Sequence, residues 1–502
     1  MPRWYETTAH RQRHRRLFWP MLLFVVWIAL RAGGHVPTVS AIPRSVVSGL
    51  IVVVVLLIHH RTVVCVVMVL GAFILGANAW NGGTSPEIGQ CDGLIRLIDD
   101  PVMSANGTRA TVERGGLRYQ VTAYGRAGGA LARLGAGDAV RVSARCSPLS
   151  LASAAYFRPR HVMGRMTIST IGDKVDAGSA LSRSARWVRA RVDLGARTMG
   201  DEERSLFTGL VIGDDSRQPR SMITAFRASG LGHLCAVSGQ NVAYVLVAFG
   251  VVLRRLRPTA RLAATVLVVG WFVVVTRIEA SVVRAGAMAI AAAWNFHRGR
   301  QRAAVDVLAI SSLVALFIDP MLAWSVGFLL SVTASLGLVT LSRPLGRVIT
   351  PTWLATVLAP ALAAQIATAP IALTTFGQLP VIALAANCVA TPLAGVVMLV
   401  GLPLAMIAAH LPDLLAATVM APLEAMVRIV WWTATLAEQV SPRGRWNLFA
   451  WAIVALVAAY RVSHSAQASD ARDRVVATYG NGRLSGHRRS CTRRSGGEPP
   501  RR

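Results

Sequence analysis

His233, Ser238 and Asn241 follow a glycine-rich turn, and Arg227, Arg284, Gln365 and Asn387 join them as polar side chains in an otherwise apolar second half. Together they supply N–H and O–H donors and fixed positive charge. That set can hydrate a passage or hold an anion. It contains no nucleophile paired with a base, so no catalytic residue is assigned. His233, Ser238 and Asn241 are expected on one face of the helix leaving the turn, because residues about three, four and seven apart recur along one stripe. Gly230, Gly232 and Gly239 permit turns and close helix approach that larger residues block. Irregular backbone at membrane depth is tolerated only where protein buries it or water reaches it, so this stretch reads as the mouth of an aqueous path.

An arginine at mid-helix costs about 2.5–3.5 kcal/mol on insertion scales, so Arg284 is expected to face protein or water. Two other fates stay open, snorkelling from a span end or pairing with Glu279. For each amide and hydroxyl the alternative to a path is an interhelical hydrogen bond that only holds the bundle. Asp214 and Asp215 lack a third ligand nearby, and Asp beside Gly is ordinary turn chemistry. The six cysteines, at 65, 91, 146, 235, 388 and 491, contain no C-x-x-C pair, so no zinc site is read from them. No metal and no cofactor is expected. G-x-x-x-x-G-K-[ST] is absent as well, which excludes a P-loop motor.

The elements that must position these residues are membrane helices. Of 502 residues 53% are apolar and only 15% charged, against about 25% in a soluble domain. The chain is therefore an integral membrane protein. Its formal charge of +29 is almost all arginine, with Lys174 the sole lysine. Arginine-rich cytoplasmic loops account for most of that excess, and nucleic-acid contact can use the remainder.

Residues 1–82 hold a basic segment and about three spans, Leu17 to Leu30, Val46 to Ile58 and Thr62 to Trp80. The basic flank before the first span puts the N-terminus in the cytoplasm; a signal peptide cleaved near Val39-Ser40-Ala41 is the rival. Three crossings place residues 83–178 outside. There apolar and polar residues alternate, as in Tyr119-Gln120-Val121-Thr122-Ala123, which marks half-buried strands. Asn106-Gly107, Gly115-Gly116 and Gly128-Gly129 supply turns, and about five strands make a small barrel. At least half of Tyr119, Tyr124, Tyr156 and Phe157 are expected in its core. Cys91 opens the first strand and Cys146 closes the fourth. A disulfide there would stabilise the domain by roughly 4 kcal/mol on the chain-entropy model, with two buried thiols as the alternative.

Residues 179–230 form amphipathic helices and a linker. Ser182 to Met199, studded with arginine, fits a helix on a membrane surface. Asp201-Glu202-Glu203 start a further helix that Gly213 ends. Residues 231–462 carry the remaining spans, near Leu234–Leu253, Leu262–Thr276, Ala280–Phe296, Ala304–Ile318, Met321–Leu341, Leu414–Leu436 and Leu448–Tyr460. Prolines at 360, 370, 380, 392 and 403 break the apolar runs, giving kinked or re-entrant segments. Residues 463–502 are a basic, disordered cytoplasmic tail. The fold class is a multispanning α-helical integral membrane protein of roughly 10–12 spans with an inserted extracytoplasmic small β-barrel.

Gly213-Asp214, then Phe226-x-x-Ser229-Gly230-Leu231-x-His233-Leu234-x-Ala236-x-Ser238-Gly239-x-x-Val242, resembles the signature of the ComEC family of competence membrane proteins. Ser281-Val282-Val283-Arg284-Ala285, Asp319-Pro320 with Gly327-Phe328-Leu329-Leu330-Ser331, Gln365-Ile366-Ala367-Thr368-Ala369-Pro370, and Asn387 with Thr391-Pro392 follow in the family's order. The resemblance implies an inner-membrane channel for single-stranded DNA and makes the barrel OB-like, a fold that often holds oligonucleotides. It also implies a separate DNA receptor and a cytoplasmic motor or nuclease as partners, besides the lipid bilayer; homo-oligomerisation stays open. Many family members add a metallo-β-lactamase-like nuclease domain, but no H-x-H-x-D-H occurs here, so none is expected on this chain. The family has a second histidine where Asn241 stands, and an amide hydrogen-bonds without titrating. The rival readings are a secondary transporter of a small solute and a non-transporting membrane scaffold.

Overall fold

The computed structural model describes residues 4–36, 47, 51, 61–81, 86–104, 106–176, 178–235, 239–276, 280–299, 303–377, 379–441, 446, 447, 449, 451 and 453. Among the described residues the chain opens with α1 (Trp4–Gly33) and α2 (Arg61–Asn81). Leu22, Val26, Leu30, Ala72 and Leu75 bury against one another and against Leu313, Leu316 and Phe328 from later in the chain. The expected spans at Val46–Ile58 and Leu448–Tyr460 lie almost wholly outside the described residues, and the tail 463–502 lies entirely outside them.

Between residues 89 and 176 the period-two alternation becomes strands: β1 Gly89–Gln90, β2 Gly93–Leu97, β3 Val102–Ser104, β4 Gly107–Arg114, β5 Leu117–Ala123, β6 Ala139–Pro148 and β7 Val162–Asp176. The circuit β6–β2–β4–β5–β7–β6 closes on itself, so five strands form a barrel while β1 and β3 add to β6 and β4. Within the circuit only β5 and β7 run parallel. A short helix, α3 (Gly125–Ala132), lies between the third and fourth barrel strands. This is the small Greek-key barrel of the OB type, and closure leaves the circuit no open edge. Ile95, Val112, Tyr119, Val121, Val140, Met166 and Ile168 fill it, each such side chain worth about 1.5–3 kcal/mol of burial.

Local chemistry sets the register. Gly115 and Gly116 take φ of +58° and +79° between the paired residues Arg114 and Leu117, as a two-residue hairpin turn demands. Gly128-Gly129, expected as a turn, instead lies inside α3. There Gly128 packs directly on the backbone of Ala123, where a Cβ would meet the carbonyl oxygen at 2.9 Å. Cys91, just after β1, is joined in a disulfide to Cys146 of β6. Of the four aromatics, Tyr119 is core and Phe157 half-buried, while Tyr124 and Tyr156 are exposed.

After β6 comes α4 (Leu151–Phe157), and after β7 the connector α5 (Ala180–Gly195). The arginine-studded connector was expected on a membrane surface. It packs into the helical domain instead, with Val188 and Val192 in one core with Phe207, Leu210, Val397 and Ala405. Its arginines are consumed by protein partners. Arg186 pairs with the buried Asp138 of the barrel, Arg189 with Asp100 at 3.4 Å, and Arg189 donates to the Val275 carbonyl at 3.0 Å. Helix α6 (Asp201–Ile212) begins with three acids and ends at Gly213, and α7 (Arg220–Ala228) follows.

The rest is helical: α8 (Gly232–Cys235), α9 (Gly239–Ala248), α10 (Gly250–Arg255), α11 (Pro258–Val275), α12 (Ala280–His297), α13 (Ala304–Ile318), α14 (Val326–Val348), α15 (Thr352–Phe376), α16 (Ala383–Ala408) and α17 (Asp413–Val440). Among the described residues six helices are long and apolar enough to cross a bilayer, α2, α11, α14, α15, α16 and α17, and Phe18–Gly33 and Ala304–Ile318 are shorter apolar helices. The chain is a multi-pass membrane protein. Three expectations change. The span Leu234–Leu253 is interrupted at Phe249, between α9 and α10. The span Met321–Leu341 starts later, because Asp319 caps a 3₁₀ turn over Pro320–Trp324 and Ser325 caps α14. Pro360, Pro370, Pro392 and Pro403 lie inside continuous α15 and α16, where membrane helices re-satisfy the one freed carbonyl locally; only Pro380 sits at a break.

Candidate functional site

The turn after α7 is built by close packing. Gly230 takes φ of +74°, and a Cβ there would collide with the Ala383 side chain and lie 3.4 Å from Pro380. Ser229 is fully buried and its hydroxyl donates back to the Phe226 carbonyl at 3.1 Å. Gly232 differs. Nothing lies nearer to its built Cβ than the Arg227 stem at 3.7 Å, so close approach does not require glycine there. Gly239 opens α9.

Pro380 belongs to the non-helical stretch between α15 and α16, whose half-buried backbone groups need partners. Side-chain amides supply them. Gln365 donates to the Pro380 carbonyl at 3.0 Å. Asn447 donates to the Leu379 carbonyl at 2.7 Å and accepts from the Val381 N–H at 3.1 Å. Trp451 donates to the same Leu379 carbonyl at 2.8 Å. Asn387 acts within α16, donating to the Ala383 carbonyl at 2.8 Å and accepting from Thr391 at 2.8 Å.

The stretch that joins His233 to Asn241 runs through residues 236–238, outside the described residues. His233 is in α8 and exposed, and Arg227 beside it is exposed as well. Asn241 is in α9, 3% exposed, and donates to the Leu210 carbonyl in the last turn of α6 at 3.0 Å. Its amide thus ties two helices together. Ser238 lies outside the described residues, as does Glu279.

Arg284 is the charged group set deepest among these residues, 4% exposed within α12. It faces protein, as its insertion cost demands. Its guanidinium donates to the Ser331 hydroxyl and, at 3.4 Å, to the Ser335 hydroxyl, both on α14, and approaches Met288 sulfur at 3.5 Å. Its Nε is buried without a partner. Two motif stretches far apart in sequence, the one around Arg284 and the one ending at Ser331, therefore meet through this side chain.

The barrel is seated on the helical half through contacts of which the sequence singled out only the Asp319 side. His161 bonds Asp319 at 2.9 Å. Arg158 stacks over Trp80 at 5.5 Å, and Trp80 stacks on Trp324 with centroids 4.9 Å apart. On the barrel's outer face the register aligns Arg109, Thr122, Thr167 and Arg145 across β4, β5, β7 and β6, with Gln120 beside Arg165 in the neighbouring row. The three arginines of these rows are exposed. Asp214 accepts from the Ser216 N–H at 3.2 Å, ordinary turn geometry. Among the described residues no three His, Cys, Asp or Glu side chains gather to hold a metal.

The model of the family described as Competence protein matches residues 210–465, just over half of the chain. No curated protein and no solved structure matches it.

Proposed function

Because the chain belongs to the Competence protein family, we propose that it is an inner-membrane channel for single-stranded DNA, with the barrel outside the cytoplasm. A strand carries one phosphate charge per nucleotide and needs a wet, cationic route with sequence-tolerant contacts. The observation that carries the reading is an OB-type barrel with an arginine-bearing outer face, seated directly on the membrane helices. Arg109, Arg145 and Arg165 stand on that face without an aromatic ring in their rows. Such a surface grips phosphate rather than stacking bases. Binding through it is steeply salt-dependent and indifferent to sequence.

Arg284, with Ser331 and Ser335, then offers a cationic group inside the helical domain. His233 and Arg227 add exposed nitrogen donors beside the Gly230 turn. The chain has no P-loop, so the pull on the strand comes from a cytoplasmic partner, and delivery to the barrel from a separate receptor. The test is uptake of labelled DNA in a deletion strain, with and without the gene restored. Restored uptake supports the channel. Equal uptake in both strains ends this reading. A second reading, secondary transport of a small solute, draws on the prolines inside α15 and α16, since proline-interrupted spans also mark such transporters.

A further inference from the structure

We infer that Arg284, Ser331 and Ser335 form a binding station for a phosphate oxyanion, in which the serine hydroxyls occupy the guanidinium until the anion displaces them. The inference rests on the channel reading for the origin of that phosphate, the backbone of a passing strand. Arg284 is 4% exposed, its Nε is buried and unpartnered, and no carboxylate pairs with it among the described residues. Its bonds run to neutral hydroxyls. Among the described residues these neutral acceptors leave the buried positive charge without a counter-charge, and a desolvated charge in that state is costly.

The donor set suits phosphate better than it suits the hydroxyls. A planar guanidinium presents a fork that matches two phosphate oxygens, and such charge-assisted pairs are roughly twice as strong as neutral hydrogen bonds. Ser331 and Ser335 stand one helical turn apart on α14, so both hydroxyls face Arg284. A hydroxyl is donor and acceptor at once. Ser335 already spends its proton on the Ser331 carbonyl, at 2.8 Å, and can only accept from Arg284. Ser331 is free to turn its proton toward an arriving oxyanion once the guanidinium lets go. Arg284 supplies both side-chain hydrogen bonds crossing from α12 to α14 among the described residues. Exchange of hydroxyl for phosphate therefore replaces the direct bonds between the two helices with bonds through the anion, without any covalent step.

The experiment uses the purified full chain in detergent, at constant ionic strength, with inorganic phosphate exchanged for chloride. The melting midpoint of the unaltered protein is expected to rise saturably with phosphate. Arg284→Gln should abolish that rise. Arg284→Lys, which keeps the charge and a hydrogen-bond donor but loses the fork, should raise the half-saturating phosphate concentration about tenfold, the equivalent of one lost bond of ordinary strength. Absence of any phosphate-specific rise in the unaltered protein overturns the station. So does an unchanged half-saturation in Arg284→Lys, which decides the matter even if Arg284→Gln does not fold. A short oligothymidylate competing with phosphate identifies the strand as the source. Phosphate binding without that competition keeps the station and removes the channel reading instead, in favour of a small anionic solute.

Discussion

His161, at the foot of the barrel, is hydrogen-bonded through its Nε2 to the Asp319 carboxylate at the start of the 3₁₀ turn before α14, at 2.9 Å and across 158 positions of sequence. His161 itself takes a left-handed φ of +62°, so its backbone is bent to deliver the ring. The same carboxylate caps the Met321 N–H at 3.0 Å with its other oxygen. One side chain therefore shapes the turn and seats the barrel.

His161→Asn isolates the second role. Asparagine tolerates left-handed backbone but is too short to reach Asp319. The expected loss is about 1 kcal/mol, the usual worth of one partly exposed hydrogen bond. Hydrogen exchange is expected to speed up at residues 158–161 and at 319–325, while the β4–β5 hairpin stays as protected as before. Faster exchange throughout the barrel would instead mean that His161 supports barrel folding, and the seating role would be lost.

The disulfide between Cys91 and Cys146 closes a loop of 55 residues. Its removal by a Cys91→Ser, Cys146→Ser double substitution should destabilise the barrel by roughly 4 kcal/mol on the chain-entropy model. Both sulfurs are nearly inaccessible, so added reductant should act only as fast as the barrel opens. A scan monitored by exchange in β2, β5 and β6 should show the barrel melting earlier in the double variant. Helices α15 to α17 should melt where they did. Identical barrel melting with and without the bridge would place the stability elsewhere.

Gly230 and Gly232 look equivalent in the sequence and are not so in the fold. Alanine at 230 must hold φ at +74° with its Cβ against Ala383, and the left-handed backbone alone costs about 1–2 kcal/mol. Alanine at 232 meets only ordinary contact with Arg227 and should shift stability by about 0.5 kcal/mol or less. Comparing the two melting midpoints checks this. Equal midpoints would show that the α7–α8 turn can shift away from α16.

What was legible in the sequence follows from the range of each signal. The barrel was readable because strand alternation and the Gly115-Gly116 turn are local. The reach of Arg284 toward protein was readable because a charge in an apolar helix must go somewhere. Its partners, Ser331 and Ser335, were not, since a pairing across 47 and 51 positions leaves no spacing to read. Asn447 was missed for the same reason, although it holds both the Leu379 carbonyl and the Val381 N–H. The stripe expected for His233, Ser238 and Asn241 runs through residues 236–238, which lie outside the described residues, while His233 is exposed and Asn241 buried.

The difference in exposure between His233 and Asn241 decides where water is expected. His233 is exposed, whereas Asn241 is 3% exposed and bonded to the Leu210 carbonyl. In a background where only the Cys91–Cys146 bridge is retained, His233→Cys should react with a charged, water-soluble thiol reagent in intact membranes. Asn241→Cys should resist the same reagent until the protein is unfolded. The contrast is needed because exposure to lipid and exposure to water look alike from the side chain's surroundings. If His233→Cys reacts with an apolar reagent and refuses every charged one, its surface faces hydrocarbon. The Gly230 turn is then a packing device, since no hydrated strand could pass beside it.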